Sequence, residues 1–358
     1  MKIKQFGYLS DPKNGQKLTL QIFKKDSDEI IDGLLLNKNS WYPVIGGIPR
    51  MLLAQSKVEF LQRKRIFLKK YRNRLSKKII NEWDLAVKDV KNISSFEKHQ
   101  QKTADSFAYE WKNIYQENNF EKNNFYHFLS PFIKEDDIKD KVTVDIGCGS
   151  GRFTKWAALA SARMAFGTDL GDSVEVAYNM TKGFENVGII QADIYSMPFN
   201  EKIDLAYSIG VLHHLPQPKQ GFLNLIKMLK EKGKILIWVY SRRHNIRALY
   251  FYEPLRAVCR HISKPVLFKL CYIPASIVHL WNLFCKAFKF KNMPFSYYEN
   301  FSFNMKLNDS FDVLATPKSN YYYSEEIEGW FKDASLKGIK SFEHPEAGIT
   351  CIGTNDSD

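Results

Sequence analysis

The stretch VTVDIGCGSGRFTKWAA, residues 142–158, decides the fold of this chain. An apolar run at Val142, Val144 and Ile146 ends in a glycine-rich turn and continues into a helix-compatible segment, which predicts a strand, a tight turn and a helix N-terminus. Backbone amides at such a helix start favour negative charge. The glycines are spaced G-x-G-x-G, and Arg152 stands where dinucleotide-binding enzymes have their third glycine. The spacing therefore argues against NAD and leaves another adenosine ligand open.

Size and composition predict a catalytic domain with additions. The 358 residues are 44% hydrophobic, which is enough to bury a core, and 25% charged, which does not suggest global disorder. The five scattered cysteines form no CxxC pair, and the first residues lack the apolar segment of a signal peptide, so we expect a cytoplasmic location. The best candidate for a membrane span, residues 270–285, is shorter than the ~20 apolar residues that a span needs. The net charge of +13 is compatible with nucleic acid, anionic lipid or an acidic substrate as partner and selects none of them.

A regular alternation of strands and helices follows the glycine turn. Asp145, Asp169 and Asp193 are each 24 residues apart, the length of one strand–helix repeat. Two further strands are predicted over residues 203–210 and 233–240, with an amphipathic helix over residues 220–233 between them. This pattern predicts a doubly wound parallel sheet that binds its ligand at the carboxyl ends of the strands.

Each of these acidic positions has a chemical interpretation. Asp169, at the end of the second strand, can accept hydrogen bonds from both hydroxyls of a ribose. Asp193 can accept one from the exocyclic amine of adenine. Asp145 either orients the glycine turn or contacts the amino group of a ligand. Upstream, Phe107, Trp111 and Tyr115 share one helical face, either as core residues or as a wall of the cofactor pocket.

The segments VDIGCGSGRFT, GTDL, QADIYSMPF and YSIGVLHHLPQP resemble, in order and spacing, the motifs of class I S-adenosylmethionine-dependent methyltransferases. The resemblance is close over residues 100–240. It implies an α/β fold with a doubly wound Rossmann-like sheet, S-adenosylmethionine as cofactor and methyltransferase activity. The cofactor-binding residues that we predict are Asp145, Gly147, Cys148, Gly149, Gly151, Asp169, Leu170, Asp193, Ile194, Ser208, Gly210 and Trp111.

Three residues are candidates for the catalytic side. His213 and His214 follow the fourth strand at the predicted mouth of the cofactor site, and histidine is a natural base near neutral pH. The alternative is a packed, structural histidine pair. Tyr240 ends the fifth strand and either faces the acceptor or anchors the strand end.

Beyond the fifth strand, residues 241–311 form an apolar and aromatic insertion that we predict to be a helical lid over the active site. Arg242, Arg243 and Arg247 open it, either to bind an anionic group or as ordinary surface charge. Residues 312–358 are predicted to supply a C-terminal helix and the closing strands of the core, which itself spans residues 101–240.

The N-terminal residues 1–53 resemble a Trm112-like small domain. In that family a CPxC knuckle binds zinc, whereas Asp11, Pro12, Lys13 and Asn14 stand here, so we predict no metal. Residues 54–100 form a basic helical linker. Ten basic residues against one acidic residue lie between Lys57 and Lys78, as a solvated face or as a dock for RNA or anionic lipid.

The sequence thus predicts a cytoplasmic methyltransferase that acts on a small molecule, a sugar or a lipid-linked acceptor. RNA methylation is the alternative that the basic linker supports, and a cofactor-binding scaffold without catalysis is another. Peripheral contact with a membrane is compatible with the apolar insertion. The acceptor atom, the oligomeric state and transfer of a group other than methyl are left open by these residues.

Overall fold

The computed structural model describes residues 1–88, 94–113, 121–245, 250, 253–259, 261–290, 293–299, 301–316, 319–345 and 348–356. Its strands are β1 (Thr19–Asp26), β2 (Glu29–Leu36), β3 (Trp41–Ile45), β4 (Ile48–Met51), β5 (Val142–Ile146), β6 (Met164–Asp169), β7 (Val187–Ala192), β8 (Ile203–Ile209), β9 (Leu229–Tyr240), β10 (Lys337–His344) and β11 (Gly348–Thr354). Its α-helices are α1 (Ile3–Phe6), α2 (Ala54–Arg63), α3 (Arg65–Tyr71), α4 (Lys77–Lys88), α5 (Ser95–Asn113), α6 (Glu121–Leu129), α7 (Glu135–Ile138), α8 (Arg152–Leu159), α9 (Ser173–Thr181), α10 (Pro218–Ile226), α11 (Glu253–Cys259), α12 (Lys264–Ala287), α13 (Phe303–Ala315) and α14 (Ser324–Asp333).

One eleven-stranded sheet has the order β1-β2-β3-β4-β7-β6-β5-β8-β9-β11-β10. The strands β7, β6, β5, β8 and β9 are parallel to one another, and β11 is antiparallel to both β9 and β10. Parallel neighbours need crossover connections, which here contain α8, α9 and α10. The predicted doubly wound Rossmann-like fold is confirmed.

The strand order reverses between β5 and β8, which are adjacent in the sheet although β6 and β7 lie between them in the chain. Every residue of β5 and β7 is buried, as expected for apolar strands covered on both faces. In open α/β sheets, ligands bind outside the carboxyl ends of the strands at such a reversal. The topology therefore puts the glycine turn after β5 at the edge where a ligand is expected.

The N-terminal unit predicted over residues 1–53 is joined to the core sheet rather than set apart from it. β4 pairs in parallel with β7 and brings Arg50 beside Gln191. The Arg50 guanidinium is 3% exposed, donates a hydrogen bond to Gln191 Oε1 at 3.0 Å and lies 3.5 Å from Glu175. A shared strand ladder and buried polar contacts thus connect the unit to the core.

More than half of the basic residues between Lys57 and Lys78 contact other groups of the chain. The Lys57 ammonium lies 4.0 Å from the centroid of the Trp41 ring and donates to the Trp41 carbonyl. Six of the ten basic residues between Lys57 and Lys78 contact acidic, carbonyl or aromatic groups of the chain: Lys57, Arg63, Lys64, Lys70, Arg72 and Arg74. These contacts leave less of the segment for an external polyanion.

The crossover helix before β9 is shorter than predicted. The amphipathic pattern suggested a helix that ends at Gly233, but α10 ends at Ile226 and β9 begins at Leu229. Leu229 pairs with Ile203 of β8, and Lys232 has a φ of +61°, which an α-helix does not accommodate. Strand pairing overrides the local helical pattern here.

The insertion after β9 contains α11, α12 and α13, and α13 continues past residue 311 to Ala315. One face of α12, formed by Leu267, Cys271 and Ala275, packs against Leu307 and Phe311 of α13. α12 includes Pro274 and is longer than the apolar run 270–285. Among the described residues, α12 is the one helix that is both long enough and apolar enough to cross a membrane, judged by length and composition alone.

Candidate cofactor and acceptor site

The turn after β5 holds backbone conformations that favour glycine. Gly147, Gly149 and Gly151 have φ values of +75°, +53° and +81°. A Cβ on Gly149 would lie 2.7 Å from Cε2 of Trp111, so the indole packs directly on the turn backbone. The turn continues into α8, whose first residue is Arg152. The predicted strand, glycine turn and helix start are all present.

Asp169 ends β6 and lies against this turn. Its Oδ2 accepts a hydrogen bond from the Gly149 N–H at 3.0 Å, and its Oδ1 accepts one from the Gly171 N–H at 2.8 Å. Burial raises the pKa of Asp169, and these amide hydrogen bonds oppose the rise. The backbone therefore fixes the carboxylate in one orientation at the cavity wall.

Asp145 lies beneath the turn. Its Oδ2 accepts a hydrogen bond from Thr154 Oγ1 at 2.8 Å, and burial raises the pKa of Asp145 to about 7. Asp145 is not among the residues that line the cavity. Of the two roles that the sequence left open, this position favours orientation of the turn.

A cavity of about 780 Å³ lies at the carboxyl ends of β5, β6 and β8, within the size range of small-molecule sites. The predicted site residues that line it are Trp111, Gly147, Asp169, Leu170, Ile194, Gly210, His214 and Tyr240. The predicted site residues outside this lining are Asp145, Cys148, Gly149, Gly151, Asp193, Ser208 and His213.

Several residues of the second group support the wall from behind. Asp193 Oδ1 accepts a hydrogen bond at 2.8 Å from Nε2 of Gln100, which itself lines the cavity. Ser208 Oγ donates to the Ile146 carbonyl at 3.1 Å. Cys148 is buried, and burial raises the pKa of its thiol, so the thiol is neutral at pH 7. In this structure these side chains hold the strand ends and the turn.

The two histidines have different surroundings. His214 lines the cavity, with Nδ1 3.3 Å from Ser319 Oγ and its ring centroid 5.2 Å from that of Phe107. His213 is fully buried, its ring centroid lies 3.9 Å from that of Tyr240, and its ring nitrogens have no hydrogen-bond partner among the described residues. Burial lowers the pKa of His213 well below its usual range, so this imidazole is neutral. The cavity is therefore bounded by His214 and Tyr240, with His213 behind them.

A group of carboxyl side chains at the cavity was missed from the sequence. Glu110 of α5 and Asp309 and Asp312 of α13 all line the cavity. Tyr298 donates a hydrogen bond to Asp309, and Asn308 Nδ2 donates one to Glu110 at 2.8 Å. Burial raises the pKa of Asp309 to about 6 and also raises the pKa of Glu110 and Asp312. We call these three carboxyl groups the acidic cluster.

One sequence signal could have found part of the acidic cluster. Asp309 and Asp312 are three residues apart and therefore share one face of α13, whereas Leu307 and Phe311 on another face pack with the insertion core. Acidic residues on a lid helix with an otherwise apolar pattern indicate a polar cavity beneath it. Glu110 gives no comparable signal, because its sequence distance from α13 hides the pairing.

Two arginines that line the cavity offset the negative charge of the cluster. Arg256 Nη1 donates to Ser319 Oγ at 2.8 Å and forms an ion pair with Glu253. The guanidinium of Arg152 lies 5.2 Å from the Trp111 ring centroid, at the start of α8. The cavity thus contains both cationic and anionic groups, an arrangement suited to a polar ligand.

The arginines predicted to bind an anion are distributed differently. Arg243 forms ion pairs with Glu325 at 3.0 Å and Glu343 at 3.5 Å, which use its charge inside the chain. The Arg242 guanidinium lies 5.6 Å from the centroid of the Tyr323 ring. Arg247 and Tyr115 lie outside the described residues.

The positions that correspond to a zinc knuckle form a hydrogen-bonded turn. Asp11 Oδ1 accepts hydrogen bonds from Tyr42 Oη at 2.6 Å and from the Lys13 N–H at 2.9 Å, and Asn37 donates to the other oxygen. Although burial opposes it, these hydrogen bonds lower the pKa of Asp11. Among the described residues, no group of three or more His, Cys, Asp or Glu side chains is placed to hold a metal ion.

Known proteins match the core of this chain. The sequence model of a family described as "Methyltransferase domain" matches residues 144–237. A protein named tRNA U34 carboxymethyltransferase from Ruthia magnifica subsp. Calyptogena magnifica is 27% identical over 116 residues, which cover 31% of this chain and 36% of that protein. One of the same name from Aliarcobacter butzleri is 28% identical over 125 residues, covering 33% and 39%. The match thus spans less than half the length of these relatives.

Solved structures show distant likeness. A chain of the complex between the Haloferax volcanii Trm112 methyltransferase activator and a methyltransferase has a TM-score of 0.44 and 13% identity, covering 72% of this chain and 98% of that chain. A SAM-dependent methyltransferase from Aquifex aeolicus has a TM-score of 0.41 and 12% identity, covering 69% and 98%. Likeness at this level carries no weight in assigning an acceptor.

The residues at the sheet side of the cavity fit S-adenosylmethionine. Asp169 presents a fixed carboxylate at the cavity wall, and Leu170 and Ile194 add apolar surface next to it. Gly147 lines the cavity without a side chain, so the turn presents bare backbone to the ligand space. The matched domain, the strand order and these residues agree: the chain contains a class I S-adenosylmethionine-dependent methyltransferase domain, with S-adenosylmethionine as its cofactor.

Proposed function

We propose that this chain transfers a methyl group from S-adenosylmethionine to a nucleophilic acceptor that enters the cavity beneath α13. The observation that carries the proposal is a single cavity whose lining includes both Asp169 at the sheet and the acidic cluster on α5 and α13. A cofactor held at the sheet and an acceptor held at the acidic cluster would share one cavity, as a direct displacement requires.

In this proposal the residues of the sheet side hold the nucleoside. When bound, S-adenosylmethionine supplies a methyl group that is already activated, so the protein mainly aligns the acceptor and excludes water. We assign Asp169 to the ribose hydroxyls, and Ile194 with Gln100 to the adenine edge, where Asp193 positions the Gln100 amide from behind the cavity wall. Gly147, which lines the cavity, provides the close approach of the backbone.

The acceptor side has groups that can take up a proton. A hydroxyl or ammonium acceptor must lose one before or during transfer. With a pKa of about 6, Asp309 is mostly ionised at pH 7 and can receive it. His214 and Tyr240 line the same cavity and are assigned to contact the acceptor. His213 is assigned to hold Tyr240 in place through their ring contact.

A tRNA nucleotide is the acceptor class that the similar proteins favour. The relatives named above are tRNA U34 carboxymethyltransferases, which supports the RNA alternative better than the small-molecule, sugar or lipid-linked acceptor predicted first. A neutral base extruded into the cavity would avoid bringing a phosphate close to the acidic cluster. The same names also make carboxymethyl transfer a chemistry to be tested, which would need a sulfonium donor that carries a carboxymethyl group in place of the methyl group.

A sugar or lipid-linked acceptor is the second candidate, and the exposed apolar surface of the helical insertion favours it. Moreover, six basic residues of the linker are already engaged within the chain, which weakens the original argument for an RNA dock there. The two candidates differ in the fraction of a cell extract that would receive the label.

The test incubates the protein with methyl-labelled S-adenosylmethionine and a fractionated host extract. Label that ribonuclease releases would identify RNA, and label in glycan or solvent-extracted lipid fractions would identify the second class. Mass spectrometry of the labelled product separates methyl from carboxymethyl transfer. Asp169→Asn is the matched control and should lose the label. Absence of label from every fraction, with cofactor binding shown by calorimetry, would refute transfer and indicate a scaffold.

A further inference from the structure

The outer face of α12 carries a long stripe of exposed apolar side chains. Ile273, Ile277 and Leu280 are 60%, 63% and 65% exposed, and they are spaced to fall on one side of the helix. Val266, Leu270 and Phe284 extend the stripe in both directions. It covers about 27 Å along the axis, from Val266 to Phe284. Contiguous apolar surface of this kind marks an interaction site on most proteins.

The other side of α12 is packed along most of its length. Leu267, Cys271, Ala275 and Cys285 are buried, and the first three lie against the core of the insertion. A helix held by its own domain in this way presents one side only. A flat apolar partner would therefore meet it lengthwise, with the helix parallel to the partner's surface.

Charge around the stripe has one sign. Residues 257–298, which include all of α12, contain six Lys and Arg residues and no Asp or Glu. Lys269 lies on α12 within this face, and Lys286 and Lys289 lie at its C-terminal end; all three are exposed. None of the three has an ion-pair partner in the described part of the chain. A surface that is both apolar and cationic complements an anionic lipid bilayer.

Two other partners fit this surface less well. In a symmetric dimer the same patch meets itself, so the lysines of one copy would face those of the other without acidic partners. Interfaces with nucleic acid are dominated by polar and cationic contacts. Exposed isoleucine, leucine and valine side chains gain little there, whereas acyl chains bury them.

We propose that the outer face of α12 binds in the plane of an anionic lipid bilayer, with the apolar stripe in the interfacial region and the lysines at the headgroups. This surface faces away from the cavity, because α13 lies between α12 and the cavity. Asp309 and Asp312 are on the cavity side of α13, and Leu307 and Phe311 are on the side of α12. The proposal goes beyond methyl transfer and does not depend on it.

The test is co-sedimentation of the full chain, without cofactor, with vesicles of phosphatidylcholine and increasing phosphatidylglycerol. We expect binding to rise with the anionic lipid and to fall with salt. Ile273→Asp with Ile277→Asp should weaken partitioning about tenfold or more, because it puts two charges into the apolar stripe. Lys286→Glu with Lys289→Glu should weaken it about fivefold for each lysine.

Matched controls come from exposed positions of the linker. Ile66→Asp with Leu85→Asp changes two side chains of similar exposure, and Lys77→Glu with Lys78→Glu reverses two exposed charges. Both controls should bind vesicles like the unchanged protein. Circular dichroism and cofactor binding identify any variant that fails to fold.

Three results would overturn the proposal. The first is absence of binding to vesicles of either composition, and the second is equal loss in stripe and control variants. The third is a stripe variant that turns a dimer into a monomer, or loses RNA binding, without a change in vesicle binding; it would assign the face to a second copy or to RNA. The vesicle experiment measures no methyl transfer, so its failure would leave the proposed reaction untouched. Failure of the labelling experiment would likewise leave the proposed membrane contact untouched.

Discussion

Trp111 of α5 packs against Gly149 of the cofactor turn. The indole of α5 packs where a side chain on Gly149 would stand. A cofactor-binding turn and one wall of the cavity are therefore positioned by the same contact. At the scale of single residues, small changes at this contact should affect both stability and cofactor binding.

Gly149→Ala tests this contact. The alanine backbone would have to adopt a φ of +53°, and its methyl group would have to displace Trp111. We expect the free energy of unfolding to fall by about 1–3 kcal/mol and cofactor affinity to drop. Chemical denaturation and calorimetry measure the two effects. Gly183→Ala is the control, since Gly183 has open space around its Cβ position, and it should change neither quantity appreciably.

Asp169→Asn should weaken S-adenosylmethionine binding about tenfold to a hundredfold, because the amide cannot accept hydrogen bonds at both of its terminal atoms. Calorimetric titration measures the Kd. Asp136→Asn, on the short helix α7 and outside the cavity lining, is the control and should leave the Kd unchanged. An unchanged Kd for Asp169→Asn would contradict the role assigned to this carboxylate.

At the scale of elements, α13 connects two environments. Its acidic cluster residues face the cavity, and its apolar residues pack against α11 and α12. Burial of carboxyl groups on such a helix has a thermodynamic consequence. A carboxyl group whose pKa is higher in the folded protein than in the unfolded chain stabilises the fold at low pH and loses this contribution as pH rises through the folded pKa.

Asp309→Asn tests this consequence. The pKa of Asp309 rises from 3.8 to about 6 through burial, so its contribution to stability should decline between about pH 4 and pH 6. We expect the variant to be more stable than the unchanged protein at pH 7 to 8, by up to about 3 kcal/mol, with little difference near pH 4. Thermal unfolding across this range measures it. A difference that does not vary with pH would contradict the expected protonation change.

The elements that the sequence predicted correctly are those with local signals. The glycine turn and the three strand-end aspartates are local, in-phase signals, so the central strands and Asp169 at the cavity wall follow from them. The acidic cluster joins Glu110 to α13 through tertiary packing that no local pattern encodes. The helix end predicted at Gly233 was wrong, because Leu229 pairs with β8 although the local pattern is helical. The separation of His213 from the cavity depends on its packing against Tyr240, which no local pattern encodes.

At the scale of the whole molecule, the N-terminal unit and the core are one sheet. Arg50 of β4 is the clearest link, since its buried guanidinium contacts Gln191 and Glu175 across the junction. The sequence predicted the small β-rich unit, but strand pairing across so long a sequence separation leaves no local trace. The structure therefore predicts that the two parts unfold together.

Arg50→Ala tests the junction. The change leaves Gln191 without its buried donor, so we expect a loss of about 2 kcal/mol or more in the free energy of unfolding. Arg63→Ala removes a more exposed ion pair with Asp172 and should cost less than about 1 kcal/mol. Urea unfolding followed by circular dichroism compares them. Equal losses in the two variants would contradict a structural role for the junction.

The pairing of β4 with β7 also has a colloidal consequence. Without it, β7 would be an edge strand of buried, apolar sequence, VGIIQA, able to pair with strands of other chains. With it, the outermost strands are β1 and β10, which carry the exposed lysines Lys24, Lys25, Lys337 and Lys340. Charged edges repel incoming strands. The N-terminal unit thus protects the sheet of the methyltransferase domain from growing, edge to edge, into aggregates.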